Sequence, residues 1–438
     1  MWIRGAVVVC VVTYGIVVQG ICLIDEFTVS AHQMLILLVC VPVAVVALSM
    51  LISEYLVFPV PFFALLMMPP FFIILTFFLR VVVGSTAIRH MLEHRDQSMH
   101  CIRFVCAQAS TIVIFPVYEL FFRAAAGSHY QIFVILLLPA LKVTTKNVVL
   151  HFAKSLEDMI PVEVIFTADY CNAVYVATWM QSSSSTTSVV AITLTDLSQT
   201  MFMLYGLHRR TTRISSKLRQ TVGDADTDHG NMLSMICWIC RHPDRFERQA
   251  HRGIRRRSCL PHHISSVNTR VLDSLNQILT EPDPQPHGSP QRPTILLRSL
   301  EALFTTECLI ITAYLEAFMP LFYCSYMMVM VHLQSAQYHR EMIGITRNNV
   351  VTTIVPLLVF GILQIASFVV LVLLIKHNCG MRALYQLAFV LEKQRALVQC
   401  KMVLWMLITL CFRVQHFGVD FKFEFVRLGA PRFWIPQG

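Results

Sequence analysis

Val350-Val-Thr-Thr-Ile-Val-Pro-Leu-Leu-Val-Phe-Gly-Ile-Leu-Gln-Ile-Ala-Ser-Phe-Val-Val-Leu-Val-Leu-Leu-Ile375 is a run of 26 residues without a charge, followed at once by Lys376 and His377. At about 1.5 Å per residue, a helix of this length more than crosses the roughly 30 Å hydrocarbon core of a bilayer. Gly5 to Ile24, Met34 to Ile52, Phe58 to Val83, Val189 to Leu207 and Cys308 to Leu333 have the same character. Ile132 to Leu150 is a weaker copy, interrupted by Lys142 and Lys146, and Ile102 to Phe122 carries Arg103 and Glu119, which fit either a costly span or a cytoplasmic or re-entrant helix. The count expected is five to eight spans.

Composition points the same way: 55% of residues are hydrophobic, only 14% are charged, and the mean hydropathy is +0.61, far from an ordinary soluble domain. Lipid offers backbone N–H and C=O groups no partner, and the apolar runs are continuous rather than alternating, so helices and not barrel strands are expected. The fold class is all-α, a polytopic bundle in the plasma membrane with the lipid bilayer as its surroundings. Its expected divisions are N-terminal spans over 1–207, a basic loop over 208–300, two further spans over 301–375, a cytoplasmic amphipathic helix over 376–428 and an irregular tail over 429–438. Gly5 to Ile24 also fits a signal-like segment with only Arg4 before it.

Loop charge sets the orientation. The segment from Leu207 to Ile295 holds Arg209, Arg210, Arg213, Lys217, Arg219, Arg255, Arg256 and Arg257 among other basic residues, which places it in the cytoplasm. From His151 to Ser188 there is only Lys154 against Glu157, Asp158, Glu163 and Asp169, so that stretch is expected to be an external loop. The net charge of +9 is accounted for by this topology and by anionic inner-leaflet lipid, without nucleic acid.

Chemistry-bearing motifs are sparse. HExxH, GxSxG, Walker and dinucleotide signatures are missing from the sequence, so no enzyme and no cofactor are expected. Fourteen scattered cysteines give no disulfide framework, and no Asn-x-Ser/Thr acceptor occurs. Cys237-x2-Cys240 and Cys259-x2-His262 approach zinc-ribbon spacing, but a short apolar docking helix with a chance neighbour is the better account, and no metal site is expected. His242, His251, His262 and His263 fit a solvated basic surface.

Ionisable groups inside apolar runs need a partner or a water-filled cavity. Asp196 sits in the string Thr193-Leu-Thr-Asp-Leu-Ser-Gln-Thr200, and Thr193, Asp196 and Thr200 share a helix face. Glu316 lies in Tyr314-Leu-Glu-Ala-Phe-Met-Pro320, where Pro320 is expected to kink the span. With Gln364 and the aromatics Tyr314, Phe318 and Tyr323, these residues either line a small-molecule cavity or fix helix packing through interhelical hydrogen bonds, and Gln364 leans to packing.

Beyond Leu207 the apolar stripe Ile214, Leu218, Val222 continues a helix out of its span, beside Arg210, Arg213 and Lys217. After Ile375, Leu384, Leu387, Leu391 and Val398 form a second amphipathic pattern. This organisation resembles the insect gustatory receptors, relatives of the odorant receptors. The resemblance is carried by Met203-Leu-Tyr-Gly-Leu-His-Arg-Arg-Thr-Thr-Arg-Ile-Ser-Ser-Lys-Leu218, by Cys411-Phe-Arg-Val-Gln-His-Phe-Gly-Val-Asp-Phe421, and by element order and loop lengths between Val189 and Leu428. It implies seven spans, a cytoplasmic N-terminus, a homo- or hetero-tetramer with related receptors, and a cation channel gated by a small-molecule tastant.

One departure stands out: that family's last helix lines the pore and bears a Thr-Tyr…Gln-Phe signature, whereas this chain ends in Gly429-Ala-Pro-Arg-Phe-Trp-Ile-Pro-Gln-Gly438. On this reading the pore helix is missing and the chain does not conduct alone. A G-protein-coupled receptor is disfavoured, since neither Asp-Arg-Tyr nor Asn-Pro-x-x-Tyr is in place. A transporter or structural membrane protein is the rival, with Pro59/Pro61 and Pro69/Pro70 as its discontinuous-helix signals.

Overall fold

The computed structural model describes residues 2–24, 27–55, 63–84, 95–125, 130–153, 160–182, 186–222, 231–241 and 295–411. Most of these residues are helical, with no strand among them. The helices are α1 (Trp2–Leu23), α2 (Ala31–Tyr55), α3 (Phe63–Leu66), α4 (Met68–Val82), α5 (Arg95–Ala124), α6 (Gln131–Ala153), α7 (Ile160–Val164), α8 (Tyr170–Ser182), α9 (Thr186–Val222), α10 (Met232–Arg241), α11 (Ile295–Met330), α12 (Val350–Cys379), α13 (Ala383–Lys393) and α14 (Arg395–Cys411). A π-helical turn, Ile165–Asp169, joins α7 to α8.

Among the described residues six helical stretches are long and apolar enough to cross a membrane: Trp2–Ile21, Ala31–Tyr55, Ser98–Glu119, Phe133–Phe152, Arg298–Met330 and Val350–Cys379. The stretch at 102–122, ambiguous from its charges, is therefore one of them. Two expected spans do not meet that measure. α4 is 15 residues long, about 22 Å, because Pro69 and Pro70 open it. They occupy its first turn, where proline costs nothing in hydrogen bonding, so this doublet breaks no helix interior. Pro59 and Pro61 lie outside the described residues. α9 continues unbroken through Leu207 to Val222, but its outer half is diluted by threonine and serine.

Side-chain pairs fix how the helices run. Later residues of α6 meet earlier ones of α11: Lys142 pairs with Glu316, and Lys146 reaches Asp169, which also accepts from Thr312. The two helices are thus antiparallel. α8 ends beside the α11–α12 connection, where Gln181 donates to the Glu341 carbonyl, and α9 then runs parallel to α12, Asp196 accepting from Gln364 and Thr211 from Asn378. α5 runs parallel to α8, with Phe115 stacked on Tyr175 and Tyr118 and Phe122 against Trp179. α14 rises beside α7 and α8, Lys401 meeting Glu163 and the Met402 carbonyl accepting from Tyr170. Seven passes therefore alternate in direction: α5, α6, α7–α8, α9, α11, α12 and α14.

α1 to α4 form an additional layer. Arg4 lies over the Tyr338 ring at the α11–α12 connection, and Gly15 is packed by Leu404 and Cys400 of α14. α1 is therefore antiparallel to α14. A second apolar cluster, with Leu37, Val41, Phe71 and Leu75 at its centre, holds α2 and α4 together.

Two expectations are corrected. The stretch 151–188 is not a loop: Ile160–Ser182 is helical, and residues 161–180 are buried at the centre of the bundle. Of the stretch 376–428, the described residues 376–411 do not form one surface helix. The chain breaks at Gln394 between α13 and α14, leaves Leu384 exposed, and sends α14 back into the bundle against α1. In each segment a charge that reads as water-facing is neutralised by a partner distant in sequence: Asp169 by Lys146, and Glu163 and Lys401 by each other.

At the end of α12, Gly380 has φ 72° and caps the helix with an N–H bond to the Lys376 carbonyl. α11 runs through Pro320 as a single helix, and Pro320 and Leu321 pack on Gly361 of α12.

Candidate functional site

Three carboxylates and two lysines meet inside the bundle. Lys142 of α6 donates to Glu316 of α11 at 2.5 Å, and their side chains are 17% and 13% exposed. One turn further along α6, Lys146 donates to Asp169 at 2.8 Å, and the same carboxylate oxygen accepts from Thr312 at 2.8 Å. Asp196 of α9 accepts from Gln364 of α12. Asp169 and Asp196 both lie within electrostatic reach of Lys142. The π turn places Asp169: it inserts an extra residue into one turn of the central helix, a distortion frequent at functional positions.

A polar seam continues from this turn toward α14. Lys401 pairs with Glu163, donates to Thr167 at 3.2 Å, and lies over the Phe104 ring. Gln108 donates to the same Thr167 hydroxyl at 3.5 Å, and Gln19 donates to Gln108 at 3.2 Å. Groups of both charge signs are thus stacked through a low-dielectric interior, where each is costly unless paired.

Of the residues expected to bind a ligand, Asp196, Glu316 and Gln364 join this cluster. Each spends hydrogen-bonding capacity on a protein partner. The hydroxyls of Thr193 and Thr200 turn back to their own helix, donating to the Val189 and Asp196 carbonyls. Tyr314 and Phe318 stack along α11, and Phe318 continues onto Phe322. Tyr323 is elsewhere. Its hydroxyl donates to Glu341 at 3.0 Å, in a small group with Tyr326 and His339 that seats the α11–α12 connection. Burial holds the His339 imidazole below its ordinary pKa, against the pull of Glu341 and with some help from Arg4.

Lys142, Lys146, Glu163, Asp169 and Lys401 were not among the expected site residues. The two α6 lysines were visible as intruders in an apolar run, and that was the available signal: opposite charges embedded in separate apolar segments invite pairing.

Two cavities lie away from the charge cluster. One is lined by α9 and α11 and is rimmed by Arg209, Arg210, Arg213, Lys217 and Arg298, with Glu301 pairing to Arg210 at 3.3 Å. The other is apolar and lies between α1, α2, α4, α5 and α14. Neither is lined by a residue expected to bind ligand. Among the described residues no group of three His, Cys, Asp or Glu side chains could hold a metal. Cys259, His242, His251, His262 and His263 lie outside the described residues, as does the stretch 412–438. No family profile, curated protein or solved structure matches the chain.

Proposed function

We propose that this chain is a multi-pass membrane protein of the plasma membrane, working as a chemosensory receptor of the gustatory type and assembling with copies of itself or related chains around a cation path. The observation that carries this reading is the alternating course of α5, α6, α7–α8, α9, α11, α12 and α14. Seven passes beginning with α5 on the arginine-rich side give the odd count that the resemblance implies, whereas Arg4 at the start of α1 lies over Tyr338 on the opposite side, so the cytoplasmic start is that of α5 and not of the chain. α1 to α4 are then an addition in front of the seven.

In this reading the cluster of Lys142, Glu316, Asp169, Asp196 and Gln364 is the switch. Its pairs join α6, the π turn, α9, α11 and α12, so a small molecule that favours one pairing over another moves those helices together. Ionisable groups at membrane depth carry function by default, because they are expensive to keep there. A transporter is the second reading, favoured by the π turn that puts Asp169 at a local distortion of the otherwise continuous central helix.

Co-expression of the chain with a related receptor chain that supplies a pore helix, with whole-cell recording during application of a tastant panel, tests the proposal. Ligand-evoked cation current that is altered by Asp196→Asn and Glu316→Gln at unchanged surface level is expected. Substrate uptake without current, from chain present at the surface, would favour the transporter.

A further inference from the structure

The recess between α9 and α11 carries charge that the protein leaves uncompensated. Arg209, Arg210, Arg213 and Lys217 of α9 line it together with Arg298 and Glu301 of α11. Glu301 is the one carboxylate among them and pairs with Arg210 at 3.3 Å. Arg209, Arg213 and Arg298 have no carboxylate partner among the described residues. Cations gathered around one recess repel one another, and a bound anion removes that repulsion. The wall is open at Gly206, where a Cβ would meet nothing within 4 Å. With a volume of about 450 Å³, the recess lies within the range of roughly 300–1,000 Å³ found for sites of small organic ligands.

We propose that this recess binds the headgroup of a phospholipid bearing more than one phosphate, of the phosphatidylinositol bisphosphate kind, in the cytoplasmic leaflet. Four of the five cations are arginines, whose planar forks match pairs of phosphate oxygens. From Arg210 to Lys217 the row runs about 10 Å along the helix axis, a spread that several phosphates answer and a single one does not. The place of the recess selects a lipid over a soluble phosphate. α9 and α11 leave their apolar segments here: one turn deeper than Gly206 and Glu301 stand Phe202 and Phe304, 77% and 44% exposed. Phosphates held by the arginines set acyl chains along those rings, where a soluble anion has nothing to place. The proposal rests on the arginine-rich side lying at the inner leaflet, where anionic lipid is found, and not on the receptor reading.

The test titrates the full chain in phosphatidylcholine nanodiscs, which leave both bilayer faces open, against empty nanodiscs as the partition background. The probes are dioctanoyl phosphatidylinositol bisphosphate, dioctanoyl phosphatidylserine, and inositol trisphosphate as a headgroup without chains. The bisphosphate lipid is expected to bind at least about 10-fold more tightly than either of the others. Arg209→Gln and Arg213→Gln each weaken it about 5-fold, the effect of one basic residue at an anionic lipid surface. Both side chains are exposed, and neither substitution removes an ion pair among the described residues. Glu301→Gln removes the negative charge of the rim, releases Arg210 and tightens binding. Lys376→Gln, an equal loss of charge at the end of α12 on the same side, leaves the affinity in place. Inositol trisphosphate bound as tightly as the lipid overturns the proposal in favour of a soluble phosphate. Phosphatidylserine bound as tightly, or Lys376→Gln as damaging as Arg213→Gln, reduces the recess to general surface charge and overturns it too. Weaker binding in Glu301→Gln, or none above empty nanodiscs in the native chain, has the same consequence.

Discussion

Lys142 and Glu316, 174 positions apart in the chain, meet at 2.5 Å and join α6 to α11. Removing one partner leaves the other charge buried, at a cost of about 3–5 kcal/mol for a pair of this kind. The two losses are not equal. Lys142 also faces Asp169 and Asp196, so Lys142→Met leaves three carboxylates against Lys146 and lowers the thermal midpoint more than Glu316→Gln does. The double variant Lys142→Met with Glu316→Leu regains part of the loss. Thermal unfolding of the purified chain in one detergent gives all three midpoints, and equal effects of the two single variants would contradict the cluster.

Lys401 is 1% exposed and its partner Glu163 is fully buried. Lys401→Met alone is therefore expected to destabilise strongly, and Lys401→Met with Glu163→Leu to be tolerated, since an apolar pair of similar volume often replaces a buried ion pair without loss. Surface level and unfolding midpoint of the single and double variants check this. A double variant as poor as the single would show that the charges do more than neutralise each other.

The α11–α12 connection is expected to loosen in acid. His339 is held below its ordinary value of about 6.5, so in the window between that value and its lowered one the unfolded chain binds the proton and the folded chain does not. Stability is then full above about pH 6.5 and falls as the pH drops below it. Unfolding midpoints between pH 7.5 and 5, compared with His339→Gln, measure this; an unchanged slope in the variant would assign the acid sensitivity to other groups.

Gly380 tolerates no side chain. Its φ is 72°, and a Cβ there would come within 2.5 Å of the Asn231 side chain at the start of α10. Gly380→Ala is expected to cost about 1–2 kcal/mol for the left-handed backbone alone, with further loss from the clash. Pairing it with Asn231→Gly relieves only the second part, which a double-mutant comparison of midpoints resolves.

The charge-free run at Val350–Ile375 announces α12 without ambiguity, because nothing in it needs a partner. α7 and α8 are hidden for the opposite reason. Glu163, Asp169 and Asn172 within the stretch 160–182 have the look of water-facing residues, and the partners of the two acids, Lys401 and Lys146, come from other helices. Local composition cannot reveal a charge that tertiary contact neutralises. The candidate site divides along the same line: Asp196 and Glu316 stand out in the sequence as acids within apolar runs, whereas their cationic neighbours read there as interruptions of a weak span. Tyr323 shares its helix with Glu316 but lies nearly two turns further along, enough to place it at the α11–α12 connection.

The account rests on seven alternating passes through a bilayer, with the arginine-rich segment on one side and the α11–α12 connection on the other. Epitope tags inserted singly after Arg255 and after Ser335, stained on intact and on permeabilised cells, measure this directly. The account predicts that the tag at 335 is reached on intact cells and the tag at 255 only after permeabilisation. Both tags on the same side, or the reverse pattern, would contradict it.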